Sequence, residues 1–145
     1  MPTKVKPMRI SVPAMLSVSL AVWGCDLRDS YVRAKQIRTF ADLQTICAKI
    51  EQMRSQSPHV LEEPQIAGVI ASVANGRDAW GNPIKFSVRP SGEGLTYVLV
   101  SYGSDGKSAV DDFADYFDLP IRRIEGQAAA DIVFRDGKPV TSAGK

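Results

Sequence analysis

The residues best suited to chemistry in this chain lie between 103 and 112. Gly103, Ser104, Asp105 and Gly106 make a turn that can aim carbonyl oxygens inward, and Asp111 and Asp112 follow six and seven residues after Asp105. Calcium takes roughly six to eight oxygen ligands from carboxylates and carbonyls, and a loop of this reach could curl around such an ion. The alternative is a solvated loop whose aspartates cap short turns. An EF-hand is excluded, because Lys107 occupies a ligand position and no glutamate closes the loop.

Other chemistries find less support. Asp111 with Asp112, or Asp115 with Asp118, could make a carboxylate pair for acid–base work, but no nucleophile–base set accompanies either. Cys47 borders a stripe of Leu43, Ile46, Ile50 and Met53 at helical spacing, which predicts a buried, inert thiol. His59 is the only histidine and sits in the polar stretch "SQSPHV", so neither a Cys–His enzyme nor a zinc site is expected. Tyr97, Tyr102, Tyr116 and Phe117 could supply an aromatic surface for a peptide or glycan, although alternation places some of them in a core.

The elements that must position these residues follow from periodicity. From Asp26 to Gln56 there is no Pro or Gly, and Leu27, Tyr31, Ala34, Ile37 and Ala41, then Leu43, Ile46, Ile50 and Met53, read as the apolar face of one long helix. Thr39 with Asp42 could instead be a capping box that restarts a second helix. A shorter helix fits 64–74, with Pro64 in its first turn and Asn75-Gly76 as its left-handed end. "IKFSVR" at 84–89 and "LTYVLVSY" at 95–102, joined by "PSGEG", predict an antiparallel hairpin, and "DIVF" at 131–134 adds a last strand before "RDGKP". The segment 109–117 fits one or two helical turns. The expected fold is α+β, with two helices against a three-stranded antiparallel sheet and an acidic loop inserted near its end.

The N-terminus differs from the rest. Lys4, Lys6 and Arg9 precede an uncharged, mostly apolar run at 10–24, the order of an export signal. The 18 basic side chains less these three leave 15 against 16 acidic ones, so the small positive charge belongs to that segment and no nucleic-acid partner is expected. "LAVWGC" at 20–25 resembles the lipobox of bacterial lipoproteins, with the bulky Trp23 as a departure. That resemblance implies lipidation at Cys25, and Asp26 after it implies retention at the inner membrane. An uncleaved N-terminal anchor and simple cleavage are the other readings. The division expected is a signal at 1–24 and one periplasmic domain at 25–145.

Between the second helix and the hairpin, "DAWGNP" at 78–83 concentrates stereochemical control. Asp78 can accept from the backbone two residues on, Gly81 permits positive φ, Asn82 tolerates left-handed geometry, Pro83 fixes entry to the strand, and Trp80 offers a large ring to bury.

Taken in order, "DAWGNPIKFSV", "YVLVSYGSDGKSAVDD" and "ADIVFRDG" resemble the C-terminal domain of the major pseudopilin (G subunit) of type II secretion systems over residues 26–136. The resemblance implies a long helix, the D-x-WGN corner, a hairpin and a calcium-binding acidic loop. It aligns Asp105 with the first acidic ligand, and either Asp111-Asp112 or Asp131 with the later one. Two features depart from the family. Residues 113–130 are inserted, and no pilin signal of the "GFTLIE" kind precedes the helix, where polar 26–39 replaces the segment that packs in a filament. The reading is therefore a non-enzymatic pseudopilin-like lipoprotein, periplasmic and membrane-anchored through its N-terminus. Its implied partners are other secretion or pilus-assembly subunits.

Overall fold

The structure, a computed structural model, describes residues 13–56, 62–92, 94–119 and 131–141, with side chains described outside 13–26, 94 and 141. The chain divides into two units, Met1–Tyr31 and Val32–Lys145, and the second holds the whole sheet and its cores. His59 and residues 120–130 lie outside the described residues.

Helix α1 runs unbroken over Pro13–Gln56. Thr39 does not restart it. The Thr39 side chain is fully buried, and its Oγ1 accepts the Ala79 N–H at 3.1 Å, so it ties the helix to the corner instead. Among the described residues no helix is long and apolar enough to cross a membrane.

The apolar positions of α1 do not form the single face that their spacing suggested. Leu43, Ile46 and Ile50 are fully buried, whereas Ala34, Ile37 and Ala41 are exposed. Each exposed residue stands nine positions before a buried one: 34 and 43, 37 and 46, 41 and 50. Nine steps of about 100° come to two and a half turns, so the two sets point to opposite sides of the helix. In the N-terminal unit, Leu27 and Tyr31 are likewise exposed.

Helix α2 spans Glu63–Ala74, with Pro64 in its first turn, where a missing N–H costs no intrahelical bond. At its start the Glu62 N–H donates to Gln65 Oε1 at 3.2 Å. It ends as expected at Asn75, in the left-handed region at φ 51°, whose N–H donates to Ala71 O at 3.1 Å. Ile66, Val69 and Ile70 are its buried face.

The sheet has four strands in the order β1-β2-β3-β4, all antiparallel: β1 Lys85–Ser91, β2 Gly94–Ser101, β3 Ile132–Arg135 and β4 Lys138–Thr141. The expected three strands become four because Asp136 and Gly137, both at positive φ, make a two-residue turn that folds Lys138–Thr141 back on β3. Pro139 sits on the edge strand, where a missing N–H is tolerated.

Alternation along β2 assigns two cores. Tyr97 and Leu99, with Ile132 and Phe134 of β3, join the helical residues Leu43, Ile46, Cys47, Ile50, Ile66 and Ile70. On the opposite side, Val98, Val100, Val133 and Val140 pack with Tyr116 and Phe117 from a 3-10 turn over Phe113–Phe117. The long connection from β2 to β3 therefore covers the second face of the sheet.

The two sides of α1 predict different responses to truncation. Ile46→Ala should cost about 2–5 kcal/mol in urea unfolding, and Ile37→Ala should stay within about 0.5 kcal/mol. Equal losses would mean that both faces are covered in the isolated chain.

Candidate functional site: the corner and the loop joined to it

The corner at 78–83 is built around the carboxylate of Asp78, which is only 6% exposed. Its Oδ1 accepts the N–H groups of Trp80 and Asn82, each at 2.9 Å, and its Oδ2 accepts the Ser101 hydroxyl at 2.7 Å. The backbone closes the same turn, with the Asp78 N–H donating to Asn82 O at 2.8 Å and the Gly81 N–H donating to Asp78 O at 3.0 Å. Gly81 has φ 90°, a conformation that a side chain would strain, as its place in the turn predicted. Trp80 is half-buried against the helix-side core, and Pro83 pairs with Arg77 in an isolated bridge before β1 begins.

Asn82 plays a different part from the one expected. Its φ is not positive. Its side-chain amide instead donates to Gly103 O at 2.8 Å. A Cβ on Gly106, itself at φ 66°, would come within 3.1 Å of Asn82 Oδ1, so this turn needs glycine for space as well as for backbone conformation. The "WGN" corner and the "SYGSDG" turn, read from sequence as separate landmarks, are thus one hydrogen-bonded joint.

The aspartates beyond the joint have separate hydrogen-bond partners. Asp105 Oδ1 accepts the Lys107 N–H at 3.0 Å. Asp111 is exposed, and Asp112 caps the 3-10 turn by accepting the Ala114 N–H at 2.9 Å. Asp131 is buried at the start of β3, where its Oδ2 accepts the Ala109 N–H at 2.8 Å and the Tyr116 hydroxyl. Asp131 Oδ1 is buried without a hydrogen-bond partner. Among the described residues no three His, Cys, Asp or Glu side chains come together to hold a metal ion. Of the four carboxylates, Asp105, Asp112 and Asp131 accept backbone N–H bonds as caps and loop ties, and Asp111 is exposed.

In each possible acid–base pair one member is similarly engaged, Asp112 as a cap and Asp118 in an ion pair. Asp118 bonds Arg89 at 3.0 Å, and Arg89 also lies 4.5 Å from the centre of the Phe117 ring. Arg135 Nη1 donates to the carbonyls of Phe117 and of Leu119, the latter at 3.1 Å. Two arginines on the sheet therefore hold the cover in place.

The aromatic surface is corrected by burial. Tyr97, Tyr116 and Phe117 are at most 5% exposed and Tyr102 is half-buried, because each packs in one of the two cores. Cys47 is buried as expected, and burial pushes its thiol up to about 11, which keeps it protonated and unreactive at neutral pH. Cys25 belongs to α1, but its side chain lies outside those described. The double duty of the connection was missed from sequence, although β2 carried the signal: an unbroken apolar run needs cover on both faces.

Burial also pushes Asp131 above the usual aspartate range. The Tyr116 hydroxyl and the Ala109 N–H oppose that rise, and nearby Asp105 adds to it. Compared with known proteins, the chain matches no family model, no curated relative and no solved structure.

Two predictions follow from this geometry. Asp78→Ala leaves two N–H groups and a hydroxyl without their acceptor and should cost about 3 kcal/mol or more in urea unfolding. Asp78→Asn, which keeps an acceptor, should lose less. For Asp131, a folded-state pKa above the unfolded value means that the native protein holds the proton more tightly, so stability is gained as pH falls through that window and lost as it rises. Wild type should therefore gain on Asp131→Asn as the pH is lowered from 7 towards 4, and a constant difference would show that the carboxyl titrates as in water.

Proposed function

We propose that this chain is a non-enzymatic, envelope-anchored protein built like the periplasmic half of a pseudopilin, and that it serves as an accessory or subunit of a type II secretion or pilus-like assembly. The observation that carries this reading is the joint at Asp78. The two stretches that resemble the pseudopilin domain meet there through Asp78–Ser101 at 2.7 Å and Asn82–Gly103 at 2.8 Å. A long helix leading through this corner into an antiparallel hairpin is the arrangement that the resemblance implies.

The capping and ion-pair roles of Asp112 and Asp118 favour architecture over acid–base catalysis in the loop. An accessory role is favoured over a polymerising subunit because 26–39 is polar where a filament subunit carries an apolar core helix. The anchor rests on the basic head, the uncharged run 10–24 and Cys25.

Deleting the gene in its source organism should reduce export of secreted enzymes or assembly of surface filaments, with restoration by the wild-type gene. Cys25→Ser should fail to restore it and should lose incorporation of labelled palmitate. Normal export and normal filaments in the deletion strain would overturn the assignment.

A further inference from the structure

The outward side of α1 in the Val32–Lys145 unit is a continuous seam that the other described residues leave uncovered. Ala34, Ile37, Ala41, Gln44 and Ala48 are all exposed, and Ile37 retains 64% of its surface. Their spacing of three and four residues places them at the a and d positions of successive heptads, the pattern of a helix that packs against another. Small side chains along most of the seam allow a second helix to approach closely.

The flanks say which kind of helix. With Ala34 at a and Ile37 at d, Arg33 falls at g and Arg38 at e, the positions that select partners in paired helices. Both arginines are exposed, and Arg38 makes a 3.9 Å contact to Asp42 within the same helix. A parallel second copy in register would set Arg33 against its neighbour's Arg38, like charge against like. We infer that this seam docks an acidic amphipathic helix of another protein, with apolar residues on Ala34, Ile37 and Ala41 and carboxylates beside Arg33 and Arg38. The inference rests on this face alone and holds whatever assembly the protein serves.

The test uses the full chain in mild detergent and two labelled three-heptad peptides with leucine at a and d. One carries glutamate at e and g, and its twin carries lysine. By fluorescence anisotropy the glutamate peptide should bind about tenfold more tightly than the lysine peptide, the scale of a few attractive pairs exchanged for repulsive ones. That preference should vanish in high salt and reverse in Arg33→Glu/Arg38→Glu. Ile37→Asp should abolish binding with an unchanged thermal unfolding curve, which separates the seam from folding. Equal binding of both peptides, or binding of neither, would overturn the inference. So would a dimer in sedimentation that Ile37→Asp dissolves, because the seam would then be covered by a second copy.

Discussion

A buried carboxylate is tolerable only if its oxygens are met, and Asp78 meets three donors from two distant parts of the chain. Two are backbone N–H groups of its own turn, which shape the entry to β1. The third is Ser101, at the end of β2. Thr39 reaches the same place from α1 by accepting the Ala79 N–H. Helix, corner and hairpin are therefore not three packed pieces with independent tolerances. If any of them shifts, the charge or a buried N–H loses its partner, and each such loss costs about 1–3 kcal/mol. The apolar core supplies most of the driving force, and its buried faces already restrict the register of the strands. The polar joint adds directional bonds that hold the corner against the end of β2.

The second constraint is the composition of β2. An antiparallel sheet commonly leaves one face in water, but Val98 and Val100 alternate with Tyr97 and Leu99, so this strand is apolar on both faces. The helices cover one side. The other is covered by the connection to β3, which a short hairpin could not do. Its aspartates are then best understood as the parts that hold an irregular cover in shape: caps at Asp105 and Asp112, an ion pair at Asp118, and a buried tie at Asp131. Arg89 and Arg135 supply the matching contacts from the sheet.

What was legible in the sequence is what local stereochemistry decides. Pro64 and Asn75-Gly76 bound α2, "PSGEG" marks the hairpin, and Asp78 with Gly81 marks the turn, because each acts on residues within a turn of itself. The failures share a different cause. That Tyr116 and Phe117 are covered depends on the far face of a sheet formed by residues elsewhere in the chain. That β4 pairs depends on its being an edge, which redeems Pro139. That Asn82 reaches Gly103 depends on the joint being closed. The candidate carboxylates were singled out as ligands from their spacing, whereas the bonds that Asp105, Asp112 and Asp131 accept depend on distances that spacing along the chain does not determine.

The reversal of faces in α1 shows how one helix can be bound to its fold and still present an independent surface. A periodicity that simply continued would have put Ile37 with Ile46 in the same core, whereas the nine-residue offset puts them on opposite sides. Around Thr39 the two roles come within one turn: Thr39 points inward to the corner, and Ile37 and Arg38 are exposed. A partner seated on that outer side would contact none of the groups that satisfy Asp78, so substitutions there can tune association with little effect on the joint. The converse does not hold, because the joint fixes the helix on which the outer residues stand. Loss of Asp78 would therefore weaken binding through misplacement of the seam, whereas loss of Arg33 would weaken it with the fold intact.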